Sequence, residues 1–312
     1  MRQDYDSAIH LFPAIEPFDS GFFERDNHQI YYEQTGNPAG KAILFLHGGP
    51  GAGCSPAHRR LFDPTKFRVI FIDQRGSGRS KPYGSTVNNT TQDLISDINY
   101  LRQSLEIEKW ALFGGSWGST LALAYAIDSP TFVSALILRG VFLGTDSEIN
   151  WYLYEMKQFF PEAHERFVSF IPEEEHHDIL SAYHKRLNSD NQKFRNEAAK
   201  FFASYENSCA TLHAETRDAG QSAISMAVLE AHYFMNNCFI PTDHILKNVR
   251  FIQHLPCYIV QGRHDVICPP ISAYNLHKIW GRKSKLTLVD DAGHSAFENG
   301  TLRNLMLFLQ AI

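Results

Sequence analysis

Six short apolar runs, at 43–46, 69–72, 110–113, 135–138, 257–260 and 286–289, are rich in β-branched and aromatic residues, and each meets a Gly, Asp or His within two residues. A strand sends successive side chains to opposite faces, so an uninterrupted apolar run has both faces covered, as in a parallel sheet. Helical stretches lie between several of these runs. Residues 91–104 place Leu94, Ile98, Leu101 and the following Leu105 on one face, and residues 120–127 are rich in Ala and Leu. This alternation predicts an α/β fold, a mostly parallel central sheet with helices on both faces. Ahead of it, 21–25 and 29–33 flank Asp26-Asn27 and read as an antiparallel hairpin at the sheet edge.

The alternation stops after Gly140 and resumes near Leu255. The intervening stretch is rich in helix formers, lacks strand runs, and is punctuated by Pro161, Pro172 and Pro241 as helix starts or stops. It reads as a helical cap inserted above the carboxyl ends of the strands. The expected organisation is a core first part at 1–143, a cap at 144–247 and a core second part at 248–312.

A chain of 312 residues with 44% hydrophobic and 20% charged residues can bury a full core. The net charge of −5, with no Lys/Arg block longer than Arg59-Arg60, argues against a nucleic-acid partner. No apolar run approaches the roughly 20 residues of a membrane helix, so no membrane partner is expected. Residues 1–10, with Asp4 and Asp6 and no apolar stretch, do not read as a signal segment. The five cysteines are scattered and form no C-x-x-C, which fits reduced thiols and a cytoplasmic location. Glu173-Glu174-Glu175-His176-His177 lacks the H-E-x-x-H spacing and follows Pro172, so it reads as a solvated helix start, not a metal cluster. No metal and no cofactor is expected; the oligomeric state, self-association included, stays open.

The chemistry is carried by Gly114-Gly115-Ser116-Trp117-Gly118, which is G-x-S-x-G after a strand run and before a helix. Such a turn strains the serine backbone, and glycines two residues to either side give it room, so the hydroxyl stands clear beside a helix N-terminus. A serine hydroxyl needs a base, and on this kind of sheet the partners follow in the order Ser, Asp or Glu, His. Asp265 follows the run 257–260 and His294 follows the run 286–289. All three then sit on loops at one sheet edge, where open α/β sheets place their sites. Ser116 is the candidate nucleophile, His294 its base, and Asp265 the group that holds the imidazole tautomer. The rival base His277 falls in a helical stretch at 272–279, and Asp290 and Asp291, on the histidine's own loop, read as solvated turn residues.

Acyl transfer also needs donors for a developing oxyanion. His47-Gly48-Gly49-Pro50-Gly51 follows the first run, and its glycines let backbone N–H groups approach a substrate. The N–H of Gly49 and that of Trp117 are the natural pair. A phosphate loop is the competing reading, but Cys54 stands where a dinucleotide loop wants glycine and no G-K-[ST] occurs. Asp73 and Arg75 read as an ion pair or hydrogen-bonded turn supporting the Gly49 loop.

With these residues in place, the chain resembles the α/β-hydrolase superfamily and, within it, the prolyl aminopeptidase (proline iminopeptidase) family. The matching segments run nearly the whole length: Ile15-Glu16-Pro17, the His47-to-Pro56 stretch, Phe62-Asp63-Pro64, Asp73-Gln74-Arg75-Gly76-Ser77-Gly78-Arg79-Ser80, Asn89-Thr90-Thr91, the Ser116 motif, Arg139-Gly140-Val141-Phe142-Leu143, Gly262-Arg263-His264-Asp265 and Ala292-Gly293-His294. The resemblance implies an α/β-hydrolase fold and a metal-independent serine exopeptidase that releases N-terminal proline from peptides through an acyl-enzyme. It also implies that Glu206 and Glu230 hold the substrate's terminal ammonium, and that Phe142, Tyr152 and Phe234 form a slot for the proline ring. The chain departs from the family in having Phe202 and Tyr205 where W-x-x-W-E is frequent, and Gly144-Thr145-Asp146 where basic residues are usual. The alternatives are an esterase or amidase acting on small substrates, for which two anions would be idle, and a ligand receptor built on a hydrolase scaffold.

Overall fold

The computed structural model describes residues 11–213, 220 and 222–312. The start of the chain, read above as unlike a signal segment, lies outside them. All six apolar runs become strands of one eight-stranded sheet: β1 (Asp19–Arg25), β2 (His28–Gly36), β3 (Lys41–Leu46), β4 (Phe67–Ile72), β5 (Trp110–Ser116), β6 (Val133–Val141), β7 (Cys257–Gly262) and β8 (Ser284–Val289). The spatial order is β1-β2-β4-β3-β5-β6-β7-β8. From β4 to β8 every neighbour is parallel, while β1 and β2 join antiparallel at one edge. Asp26 and Asn27 close the β1–β2 hairpin with φ of +48° and +67°, the conformation a two-residue hairpin demands and one that Asp and Asn tolerate.

The continuous apolar runs resolve into two faces. Ile43, Phe45, Val69, Phe71, Ala111, Phe113 and Ile137 pack toward Leu61, Phe62 and α11 (Asn299–Leu309). Leu44, Leu46, Ile70, Ile72, Leu112, Leu136 and Leu138 pack on the other side. There they meet α2 (Thr91–Ser104), α3 (Trp117–Asp128) and α10 (Pro270–Trp280). Thr90 and Asp93 cap α2 reciprocally, and its Leu94, Ile98 and Leu101 are buried, as their spacing predicts. A single turn, α1 (Pro56–Arg59), follows β3.

Between β6 and β7 the described residues hold helices and no strand: α4 (Asp146–Asn150), α5 (Pro161–Val168), α6 (Ile179–Leu187), α7 (Gln192–Cys209), α8 (Ala223–Met235) and α9 (His244–Asn248). Pro161 opens α5, and Pro172 precedes a 3₁₀ segment, Glu173–Asp178, whose Glu175 pairs with Arg186. Tyr183, Phe167 and Tyr205 stack in one column, with centroids 4.6 and 4.5 Å apart, inside this helical layer. Its apolar residues continue without a break into the cluster on the sheet. Among the described residues no group of three His, Cys, Asp or Glu is placed to hold a metal, and no helix is long and apolar enough to cross a membrane.

Candidate active site

Ser116 ends β5 and caps α3 with φ +57° and ψ −129°, a strained backbone for a residue with a side chain. The glycines on either side are sterically required. A Cβ on Gly114 would lie 2.2 Å from the Gly118 carbonyl oxygen, and one on Gly118 would lie 2.1 Å from that of Leu46. The turn thus presses β5, α3 and β3 together beneath the hydroxyl.

Asp265 and His294 leave the carboxyl ends of β7 and β8. The imidazole Nδ1 donates to Asp265 Oδ2 at 2.8 Å. Gln261 Nε2 donates to the same oxygen at 2.9 Å, and the Cys268 N–H donates to Oδ1 at 2.8 Å. With Nδ1 carrying the proton toward the carboxylate, Nε2 is left as the basic nitrogen. The histidine loop is tethered: the His294 and Ser295 N–H groups donate to the Ala210 carbonyl, and Arg139 Nη1 donates to the His294 carbonyl at 2.7 Å. Ser116 and His294 line one cavity of about 180 Å³ together with Gly48, Gly49, Arg139, Met226 and Glu206. No direct hydrogen bond joins Ser116 to the imidazole here; such bonds often tighten only around substrate.

Gly140 passes beneath the imidazole with φ +53°, and a Cβ there would sit 2.9 Å from His294 Cε1 and 3.3 Å from Asp265 Oδ2. The Gly48–Gly49 loop lies against the nucleophile, with a Cβ on Gly48 reaching 3.2 Å from Ser116 Cβ. The Trp117 N–H is in the first turn of α3, where a helix has no acceptor of its own for it.

Glu206 on α7 and Glu230 on α8 are buried and hydrogen-bonded to each other. Glu206 shares the cavity with Ser116 and His294, and its Oε2 is buried without a partner. Desolvation pushes both carboxyls up. Arg139, His294 and the hydrogen bond from Glu230 pull Glu206 back, whereas the Glu206 charge drives Glu230 further up. Of the two carboxyls, Glu230 is therefore held the more strongly in its protonated form. Phe142, Tyr152 and Phe234 come together from β6, the turn after α4, and α8, with Phe234 6.0 Å from Phe142 and 5.7 Å from Tyr152 between centroids. Tyr205 packs behind Tyr152 at 5.6 Å and donates its hydroxyl to the Tyr152 carbonyl.

One expectation is corrected. Asp73 and Arg75 do not pair. Asp73 binds Arg79 and accepts from the Cys54 N–H at 2.7 Å, so it does brace the loop after Gly49. Arg75 turns instead to α2, gripping both oxygens of buried Asp97 at 2.6 Å. His277 lies on α10 and bonds Ser284, and exposed Asp290 pairs with Arg263. The sequence reading missed Gly140, Arg139, Gln261 and the particular role of Gln74. Gln74, Arg139 and Gly140 stood inside segments that carried the family likeness, but their roles, like that of Gln261, are long-range contacts with no local signature.

Comparison with known proteins bears on family and fold. Residues 41–301 match the family model for the alpha/beta hydrolase fold. Proline iminopeptidase of Xylella fastidiosa is 44% identical over 296 residues, covering 92% of this chain and 94% of that protein. Proline iminopeptidase of Arabidopsis thaliana is 45% identical over 307 residues, covering 95% of this chain and 80% of that protein. Among solved structures, an alpha/beta hydrolase from a Medee basin deep-sea metagenome library superposes with a TM-score of 0.62 at 17% identity, covering 94% of this chain and 98% of that chain. An esterase from Exiguobacterium antarcticum gives 0.57 at 18%, covering 91% and 97%. The structural likenesses concern the fold alone; with the sequence identities beside them, the chain belongs to the α/β hydrolase fold family and, within it, to the proline iminopeptidases.

Proposed function

We propose that this protein is a prolyl aminopeptidase, a serine exopeptidase that releases N-terminal proline from peptides. The observation that carries the reading is buried Glu206, backed by its partner Glu230, on the wall of the cavity that holds Ser116 and His294. A neutral ester has no use for a desolvated carboxylate, whereas a terminal ammonium binds it strongly.

In the proposed reaction, the secondary ammonium of the substrate meets Glu206 and Glu230, and its ring enters the slot of Phe142, Tyr152 and Phe234. His294 Nε2 takes the Ser116 proton as Oγ bonds to the prolyl carbonyl carbon. The resulting oxyanion accepts from the Gly49 and Trp117 N–H groups. The C–N bond then breaks, the leaving amine takes the proton from His294, and a prolyl ester remains on Ser116. Water, deprotonated by the same imidazole, attacks the ester and returns the serine. Asp265 holds the imidazole in place and steadies the imidazolium. None of these steps calls for a metal or cofactor. Residues 144–247 act as a cap that supplies the ammonium and ring contacts, over a core of 1–143 and 248–312. The five free cysteines accord with a reducing, cytoplasmic setting.

The test is hydrolysis of proline β-naphthylamide beside its N-acetyl derivative, with the chelator EDTA present. Turnover of the free substrate alone, abolished by Ser116→Ala, is the expected result. Equal rates on both substrates would remove the exopeptidase reading, and loss with EDTA would remove the metal-independent one.

A further inference from the structure

The two candidate oxyanion donors come from segments far apart in sequence, yet one buried side chain bridges the indole of one donor residue and the loop that carries the other. Gln74, just beyond β4, is 3% exposed. Its Oε1 accepts from the Trp117 indole Nε1 at 2.8 Å, and its Nε2 donates to the His47 carbonyl at 3.0 Å. Its backbone N–H donates to His47 Nε2 at 3.0 Å. These assignments leave no freedom. An indole N–H and a backbone N–H can only donate, so Oε1 must face Trp117 and His47 Nε2 must be unprotonated. The His47 proton is then on Nδ1, which donates to the Gly48 carbonyl at 2.9 Å. The same carbonyl also accepts from the Ala52 N–H at 3.3 Å. Burial holds His47 in this neutral form.

The consequence lies in the next peptide plane. In a planar trans peptide the C=O and the following N–H point in opposite directions. Two donors fixing the Gly48 carbonyl therefore fix where the Gly49 N–H aims. At the other end, the indole anchored on Gln74 belongs to the residue that offers the second N–H. We propose that Gln74 is a positioning residue for the reaction: it locks the two oxyanion donors into one rigid unit, through His47 on one side and the Trp117 indole on the other. It touches no substrate. It acts by removing the reorganisation that loose donors would undergo as charge develops. The proposal rests on the assignment of Gly49 and Trp117 as the donors.

Substituting Gln74→Met keeps the length and removes both polar ends. Removing one oxyanion donor outright costs about 10²–10³ in kcat, so loosening the pair is expected to lower kcat by roughly tenfold to hundredfold, with KM changed by less than about threefold. Trp117→Phe keeps the backbone N–H but cuts the indole link and is expected to lower kcat several-fold with KM again held. In the double variant the losses are expected to be far from additive, because both cut one chain. Gln74→Glu, which keeps an acceptor for the indole, is expected to recover part of the Gln74→Met loss. A structural role alone would lower the melting temperature and the amount of active enzyme while sparing the kcat of the folded fraction, so active sites are titrated with a fluorophosphonate. Should Gln74→Met fail to fold, Trp117→Phe and Gln74→Glu carry the same kinetic test. Wild-type kcat in these variants, or fully additive losses, overturns the clamp while leaving the nucleophile assignment intact. Full activity in Ser116→Ala overturns the catalytic reading itself, so the two failures are told apart.

Discussion

The asymmetry of the glutamate pair gives the sharpest prediction. Glu206 accepts a hydrogen bond and feels the positive charge of Arg139, whereas every influence on Glu230 acts to keep its proton. Glu206 is thus the carboxyl of the pair that ionises the more readily. A carboxylate and an ammonium about 4 Å apart attract by about 4 kcal/mol at an effective dielectric near 20. At 1.4 kcal/mol per decade, Glu206→Gln should lower kcat/KM for a prolyl arylamide by nearly a thousandfold. With its proton held on Glu230, Glu230→Gln would exchange one neutral donor for another, and the lost hydrogen-bond quality is worth less than about 1 kcal/mol, or a few-fold. The assay is the initial rate on proline β-naphthylamide for both variants beside wild type near pH 7.5. A Glu230→Gln loss equal to or larger than that of Glu206→Gln would show that the charge is not where the geometry places it. Two unaltered variants would remove the ammonium role altogether.

Other consequences follow from the same coordinates. Both carboxyls have folded pKa values raised above the ordinary 4.5, so their contribution to stability is full below that pH and is lost as pH rises through the raised values. The melting temperature of the Glu206→Gln protein should therefore exceed that of wild type at pH 8, with the gap closing toward pH 4.5; a wild-type advantage at pH 8 would contradict this. Gly140→Ala places a methyl 2.9 Å from the His294 ring at a φ that disfavours it, and an imidazole displaced by about 1 Å should cost roughly a hundredfold in kcat. Asp265→Asn should lower kcat by roughly ten-thousandfold with little change in KM, because the imidazole would take the wrong tautomer. Arg75→Met leaves buried Asp97 without its partner and should reduce unfolding free energy by about 3 kcal/mol, read by urea denaturation.

The fold was legible because the strands announce themselves: a run such as 110–113, apolar at every position, has few homes other than a sheet covered on both faces. The Ser116 turn was legible because glycine at two fixed offsets records a steric necessity in the sequence itself. Asp265 and His294 could be picked from the chain order. Glu206 and Glu230 were reached by family likeness, since an acid on an amphipathic helix does not advertise whether it faces water. What escaped was contact across the sheet. Gln74 meets Trp117 only because β4, β3 and β5 lie side by side, and Gly140 meets His294 only because β6 and β8 flank β7. Arg75 was assigned to nearby Asp73 because proximity in sequence was the only distance then available, whereas its partner Asp97 comes from α2, a contact no local pattern announces.

The unbroken apolar cluster that runs from Leu44, Ile70 and Leu112 on the sheet into Phe167, Tyr183 and Phe202 of the helices above it has a further consequence. Lifting the helices off the sheet would bare that whole seam to water, at a cost of about 25 cal/mol for each square ångström exposed. Grease therefore glues roof to wall, and a guest is admitted more cheaply through gaps at the eaves than by hoisting the roof.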